Sequence, residues 1–393
     1  MSRQISAGLI VGLTAVIYAM SYGTFLFSGA LSPFVGFGIA LALMTAAVGA
    51  LFGLFSSEKS FISGPDSNTI SVMASILGAV AATGLTSEHL LQVSLATLIS
   101  TSLVTSAVFV AVRHFNLAGF VRYIPFPVMA GFLASTGWLM SSGALNIISG
   151  TPLSIAGIQT FATQPYRPEL FFGILVAAVL LGLSRRISSV VLIPLVILVS
   201  TVLVNALFAG EFITAGRDVW LFTKHQKTAL LLPWNFKMRI EDLLLVGKLL
   251  PSMLVVSFVG VLTVLLSIAS LELNYRKEFD LNQVLGTHAL LGCVGAATGG
   301  FVGIISIGRT ELNYQMKGGR LSGAIAASLC IAVLFGADWM VSYVPKPALG
   351  GLVLYLGFNM LKQWIWNQRR TATRSEMLQI LLLVALVANF GFV

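Results

Sequence analysis

Apolar residues run in stretches of about twenty, broken by short polar joints, from one end of the chain to the other. A bilayer-crossing helix needs about 20 mostly apolar residues. On that measure the chain reads as spans near 8–29, 33–55, 67–83, 90–112, 125–146, 170–183, 187–208, 248–271, 283–300, 306–317, 321–336, 347–361 and 376–390. The first span follows only a few residues and shows no small-residue cleavage site leading into a soluble chain, so it reads as a span, not a removable signal. The one long hydrophilic stretch, 209–247, reads as a surface connector, with Trp220 and Trp234 marking the headgroup level. The last residues, Asn389 to Val393, still lie in an apolar run, which reads as a chain truncated before a further helix.

Composition turns this pattern into a class. Hydrophobic residues make up 57% of the 393 and charged residues 9%, against about 25% charged in soluble domains, and mean hydropathy is +0.93. Soluble enzymes, nucleic-acid binders and secreted scaffolds are excluded, because so apolar a chain has too little charge to cover a water-facing surface. The net charge of +9 has a membrane explanation. With the N-terminus cytoplasmic, Arg3, Lys59, Arg113, Arg122, Arg185, Arg186, Arg276, Lys277, Lys317, Arg320, Lys362, Arg369, Arg370 and Arg374 fall inside, and of the short outer loops only Arg167 and Lys346 are basic. The expected location is the cell membrane, multi-pass. Cys293 and Cys330 sit alone in apolar stretches and read as packing residues.

Two interruptions carry the candidate chemistry. Ser63-Gly64-Pro65-Asp66-Ser67-Asn68-Thr69 opens the third span, and Gly299 to Thr310 opens the tenth, with Ser306, Gly308 and Arg309 near the expected helix start. Matching interruptions in two halves point to a transporter site at the bilayer midplane. A half-helix starting there exposes unpaired N–H groups and a positive dipole end, which suits an anion. Arg309 at membrane depth is costly and implies either substrate binding or structural pairing, for instance with Asp66. Tyr18 and Tyr22 share a face of the first span and serve equally as cavity lining or as packing. The eighth span offers Ser257, Thr263 and Ser267, and no carboxylate before Glu272. No GxSxG, HExxH or Walker sequence occurs, and His89, His114, His225 and His288 lack ligand spacing, so neither an enzyme nor a metal or other cofactor is expected.

Four segments then carry a resemblance: Ile62 to Thr69; Phe279-Asp280-Leu281-Asn282-Gln283; Gly299-Gly300 with Arg309-Thr310-Glu311-Leu312-Asn313-Tyr314 and Gly318-Gly319-Arg320; and Val344 to Gly351 before Asn359-Met360. In this order they resemble the SulP, or sulfate permease, family of anion transporters over nearly the whole sequence, and Phe27 to Phe34 looks most like bacterial members. The resemblance implies an all-α polytopic fold, an inverted repeat of seven plus seven segments with half-helices 3 and 10 meeting at the midplane. The first repeat is 1–208, the connector 209–247 and the second repeat 248–393. Spans 1–4 and 8–11 would form a core domain moving elevator-like against a gate of spans 5–7 and 12–14. Substrate would sit among Tyr18, Tyr22, Asp66, Ser67, Thr263, Ser306, Gly308 and Arg309. The partners implied are a small anion (sulfate, bicarbonate, chloride or a dicarboxylate), the lipid bilayer and a second copy in a homodimer. A cytoplasmic STAS or cyclic-nucleotide-binding domain, found in relatives, is not seen in these residues. Thr263 stands where many cation-coupled bacterial members carry Asp or Glu, which argues against proton or sodium coupling there. A nucleobase permease of the same fold and an anion channel are the alternatives.

Overall fold

In the computed structural model, residues 2–117, 119, 125–150, 167–211, 216–222 and 240–391 are described. Among them, thirteen principal helices run α1 (Ser2–Leu26), α2 (Val35–Ala50), α3 (Ser67–Ala81), α4 (Ser87–His114), α5 (Phe126–Ser149), α6 (Pro168–Leu183), α7 (Ser189–Ala209), α8 (Leu250–Tyr275), α9 (Leu281–Ala297), α10 (Ile307–Gln315), α11 (Arg320–Val341), α12 (Lys346–Leu361) and α13 (Arg374–Phe390). Six stretches are long and apolar enough to cross a bilayer on length and composition alone: α1, α4, α5, α7, α8 and Gly29–Phe55, which contains α2. The chain is an all-α membrane protein built on an inverted repeat.

Helix starts follow local chemistry. Asp66 caps α3, Asp280 caps α9 and Thr373 opens α13 in a reciprocal capping box with Glu376, each satisfying first-turn N–H groups that a helix leaves open. Proline stands in the first turn of α5, α6, α8 and α12, where its missing N–H costs nothing. Small residues set the closest packing: a Cβ at Gly8 or Gly12 of α1 would lie 2.8 or 2.9 Å from Ile325 or Ala326 of α11. Without water to drive association inside a bilayer, such contacts hold helices together through van der Waals packing.

Two groups of helices result. α1, α2 and α11 pack on one another, and α4 packs on α8 and α9; separately, α5 packs on α12 and α13, and α12 on α6. The groups touch where α1 meets α5, α7 and α12, where α3 meets α5, and where α10 meets α7. One apolar core threads α1–α4, α8, α9 and α11 and reaches into the second group through Met140 and Ala144 of α5 and Leu349 and Val353 of α12, and a smaller one joins α6, α7 and α12 to Ile17.

The connector departs from expectation. Trp220 is only 4% exposed; it packs edge-on to Phe172 and Phe208, and Leu221 bridges to Pro345. The Trp220 side chain is seated in the protein, in a socket made by Phe172 of α6 and Val204 and Phe208 of α7. Trp234 and His225 lie outside the described residues. The short helix Ile240–Lys248 packs on α4, with Asp242 3.4 Å from His89. Cys330 is buried, but Cys293 is exposed and so is no packing residue: it faces outward from α9.

Candidate functional site

The two interruptions meet. Ser63–Gly64 (β1) and Ile304–Ile305 (β2) pair antiparallel, Ser63 opposite Ile305 and Gly64 opposite Ile304. Unwound backbone at membrane depth must be satisfied by protein, and the second repeat does this for the first. The Ser306 amide donates to the Ile62 carbonyl at 2.9 Å. The Ile62 amide donates to Thr310 Oγ1 at 3.1 Å, and that hydroxyl lies 3.2 Å from the Ile62 carbonyl. Asn313 Nδ2 donates to the Ser60 carbonyl at 2.9 Å. This clamp fixes where α3 and α10 begin.

The two helix starts are not equivalent. Asp66 Oδ2 accepts from the Asn68 and Thr69 amides at 2.9 and 3.3 Å, so the positive end of α3 is already occupied by a carboxylate of its own chain. Ser306 makes no side-chain cap at α10, leaving that dipole end open. Arg309, third residue of α10, is 3% exposed, and its Nε and Nη1 have no hydrogen-bond partner. Among the described residues no ion pair joins it to Asp66. Its guanidinium carbon stands 5.9 Å from the Tyr18 ring centre. Gly64 makes room for it: at φ 156°, a Cβ there would lie 2.9 Å from Arg309 Nη1.

A cavity of about 440 Å³ lies in front of these groups. Of the eight residues singled out from sequence it brings together Tyr18, Tyr22, Asp66, Ser67, Thr263, Ser306 and Arg309. Gly308 is not among its lining residues, and a Cβ there would meet Val190 of α7 at 3.5 Å. The tyrosine rings are tilted with centres 5.6 Å apart. Thr263 Oγ1 accepts from Asn68 Nδ2 at 3.2 Å, and Asn68 Oδ1 accepts from Thr136 Oγ1 of α5 at 3.2 Å. Asn68 thus links α8, α3 and α5, a role not assigned from sequence. Its signal was there: an amide inside an otherwise apolar half-helix. Leu133, Leu356, Met360, Gln363 and Trp364 of the facing helices complete the lining, and nothing in their types marked them. Ser257, by contrast, bonds Thr105 and its own helix backbone.

From the helix starts the cavity runs toward exposed Gln363, just past α12. Toward the opposite end Phe25 of α1 lies so close against Gly143 of α5 that a Cβ there would overlap its ring, a contact that narrows the gap between the two helices. Beyond this contact a separate cavity of about 590 Å³ is lined by Ser28, Asn146, Arg167 and Lys346 among others. No cluster of His, Cys, Asp and Glu able to hold a metal occurs among the described residues.

Comparison with known proteins agrees with this architecture. Residues 1–383 match the model of the Sulfate permease family. A probable sulfate transporter of Mycobacterium tuberculosis (strain CDC 1551 / Oshkosh) is 26% identical over 99% of this chain and 68% of its own length. The bicarbonate transporter BicA of Picosynechococcus sp. is 24% identical over 93% of this chain and 63% of its own. Among solved structures, the transmembrane domain of a cyanobacterium bicarbonate transporter BicA superposes with a TM-score of 0.77 at 17% identity, covering 100% of this chain and 96% of that one. The murine anion transporter Slc26a9, in its inward-facing state, superposes at 0.72 and 15% identity, with 65% of that chain covered. The chain is a multi-pass membrane protein that belongs to the sulfate permease family of transporters.

Proposed function

We propose that the chain carries a small inorganic or carboxylate anion across the cell membrane by alternating access, holding it between the open N-terminus of α10, Arg309 and the Tyr18 and Tyr22 hydroxyls. One observation carries this reading: a buried arginine, with two N–H-bearing nitrogens left unpaired, faces a cavity at an uncapped helix start. Leaving a charged group buried and unpartnered is expensive, and an arriving anion repays it. Sulfate, bicarbonate, chloride and dicarboxylates all fit that chemistry.

The moving body in this proposal is α1–α4 with α8–α11, sliding against α5–α7, α12 and α13. The packing between the two groups, lighter than the packing within each, supports it. With the basic loops cytoplasmic and the N-terminus inside, the path toward Gln363 opens to the cytoplasm and the Phe25–Gly143 contact closes the outside. Thr263, a hydroxyl already engaged by Asn68, puts no carboxylate of α8 at the cavity, where Glu272 of the same helix instead accepts from the Phe279 amide, so transport runs without a proton or sodium gradient through that position.

The test is radiotracer uptake by the purified chain in proteoliposomes, across a panel of anions and imposed ion gradients. Saturable uptake accelerated by unlabelled anion on the far side supports a carrier. Linear, non-saturating flux with no counter-exchange refutes it in favour of a channel, and uptake of a nucleobase but no anion refutes the substrate class.

A further inference from the structure

A second cleft lies apart from the transport path. It sits between the C-terminal ends of α6 and α12, walled by α5 and α13, and holds about 860 Å³. Trp138, Leu181, Phe358, Ile365 and Val384 make its sides apolar. One end is different in kind: Arg185 and Lys362 rim it, and the Arg369 guanidinium stacks 3.5 Å from the ring centre of Trp366, another lining residue. Among the described residues no acidic one lines the cleft. The rim owes its shape to a change of helix. After Leu361 the chain widens into a π-helical turn, Lys362–Trp366, a deviation frequent at functional sites, and this turn places Lys362, Ile365 and Trp366 along the same cleft.

Apolar walls with cations gathered at one end match a ligand of matching polarity: a long hydrocarbon chain below an anionic head. A free inorganic anion would use the rim and leave the aromatic walls without contacts. Basic pockets between membrane helices, by contrast, hold acidic lipid headgroups. We propose that this cleft binds an anionic phospholipid, its phosphate between Arg185 and Lys362 and an acyl chain along Trp138 and Phe358. The lipid would then fasten α6 to α12 and α13.

The experiment is native mass spectrometry of the full chain released from vesicles of equimolar phosphatidylglycerol and phosphatidylcholine. Wild type retains phosphatidylglycerol in preference, and the Arg185→Gln/Lys362→Gln double variant loses that preference on the order of tenfold. Gly182→Trp projects from α6 into open space at the cleft, since a Cβ there meets nothing within 4 Å, and it lowers retention of both lipids. Both sets of changes lie at exposed or half-buried positions, and a monodisperse elution profile checks folding independently of lipid. Undiminished phosphatidylglycerol preference in the double variant overturns the proposal, and so does displacement of the lipid by millimolar inorganic phosphate. A dimer that Gly182→Trp dissociates while bound lipid stays constant also overturns it, by assigning the cleft to a second copy of the chain.

Discussion

Replacing Arg309 by methionine separates binding from folding, because the structure gives the two opposite signs. In the empty protein the guanidinium is 3% exposed and two of its nitrogens have no partner. A buried donor left unsatisfied costs about 1–3 kcal/mol, so methionine, which is flexible enough to fill the same space, leaves the empty protein at least as stable as wild type. The bound state responds the other way. Two charge-assisted hydrogen bonds at about 1.5–3 kcal/mol each amount to roughly 3–6 kcal/mol, or a loss of about a hundredfold or more in anion affinity at 1.4 kcal/mol per factor of ten. Arg309→Lys keeps the charge but not the planar fork and falls between.

Thermal unfolding of the purified protein, with and without each candidate anion, reads both signs at once. Wild type gains about 2.7 kcal/mol at a ligand concentration of a hundred times Kd, and Arg309→Met gains about 0.4 kcal/mol or less at that concentration while its unliganded midpoint holds or rises. The reasoning fails if the variant is markedly less stable without ligand and keeps its anion affinity. That outcome would make Arg309 a structural tie.

Two further predictions concern the seal and the loops. Gly143→Val drives a side chain into the Phe25 ring; overpacking of about 1–3 kcal/mol shifts the access equilibrium outward by roughly 5- to 150-fold. A membrane-impermeant maleimide added outside should then label a cysteine at position 67, in a background lacking Cys293 and Cys330, and unchanged labelling rejects the seal. On the opposite side, Lys277 Nζ lies 2.7 Å from Glu58 Oε2 and Ser60 donates to Oε1, tying the loop before α3 to the loop before α9. Burial pushes the Glu58 carboxyl up, but the hydrogen bonds from Lys277 and Ser60 and the Lys277 charge outweigh it and hold it below the ordinary value of 4.5. A depressed carboxylate contributes stability that is present above 4.5 and is lost as pH falls through the lowered value. Glu58→Gln should therefore lower the thermal midpoint at pH 7, and its deficit should shrink as pH falls below 4.5 and vanish once pH is well below the lowered value; a deficit that stays constant down the acid range refutes the ion pair.

Periodicity and punctuation carried most of the fold. Thirteen apolar stretches became α1–α13, with shifts of a few residues at their ends. Asp66 and Arg309 were found because ionisable groups are rare at membrane depth. The β1–β2 clamp was not legible, because a two-residue strand shows no alternation, and its partner Thr310 lies 248 residues from Ile62. Leu133, Leu356 and Met360 were invisible as cavity lining for a related reason: an apolar side chain facing lipid, a neighbouring helix or a cavity looks the same in sequence. The burial of Trp220 was not legible, because an interfacial tryptophan and one seated in a protein socket have the same composition around them. Cys293 shows that an apolar neighbourhood does not imply burial when the solvent is itself apolar.

The inverted repeat makes α3 and α10 counterparts, yet the chemistry of their starts is opposite. One end is occupied by its own carboxylate, Asp66; the other is uncapped and carries Arg309. In the proposed function an anion in the cavity would be drawn to α10 and repelled from Asp66, so fold symmetry would not yield a symmetric site. This asymmetry can be measured. Asn caps a helix about as well as Asp, so Asp66→Asn preserves the start of α3 and removes one negative charge from the cavity wall. A unit charge across a cavity of this size is worth about 1–2 kcal/mol at the effective dielectric of such sites, so anion affinity should rise roughly tenfold in the variant. The same protein decides the coupling question. If Thr263 leaves the transporter uncoupled, both forms take up anion regardless of imposed pH and sodium gradients, and only the affinity differs. If wild-type uptake follows a gradient and Asp66→Asn abolishes that dependence, Asp66 carries the coupling and the reading of α8 is wrong. Unchanged affinity in Asp66→Asn would mean that the anion does not sense this wall of the cavity, and would remove Asp66 from the site.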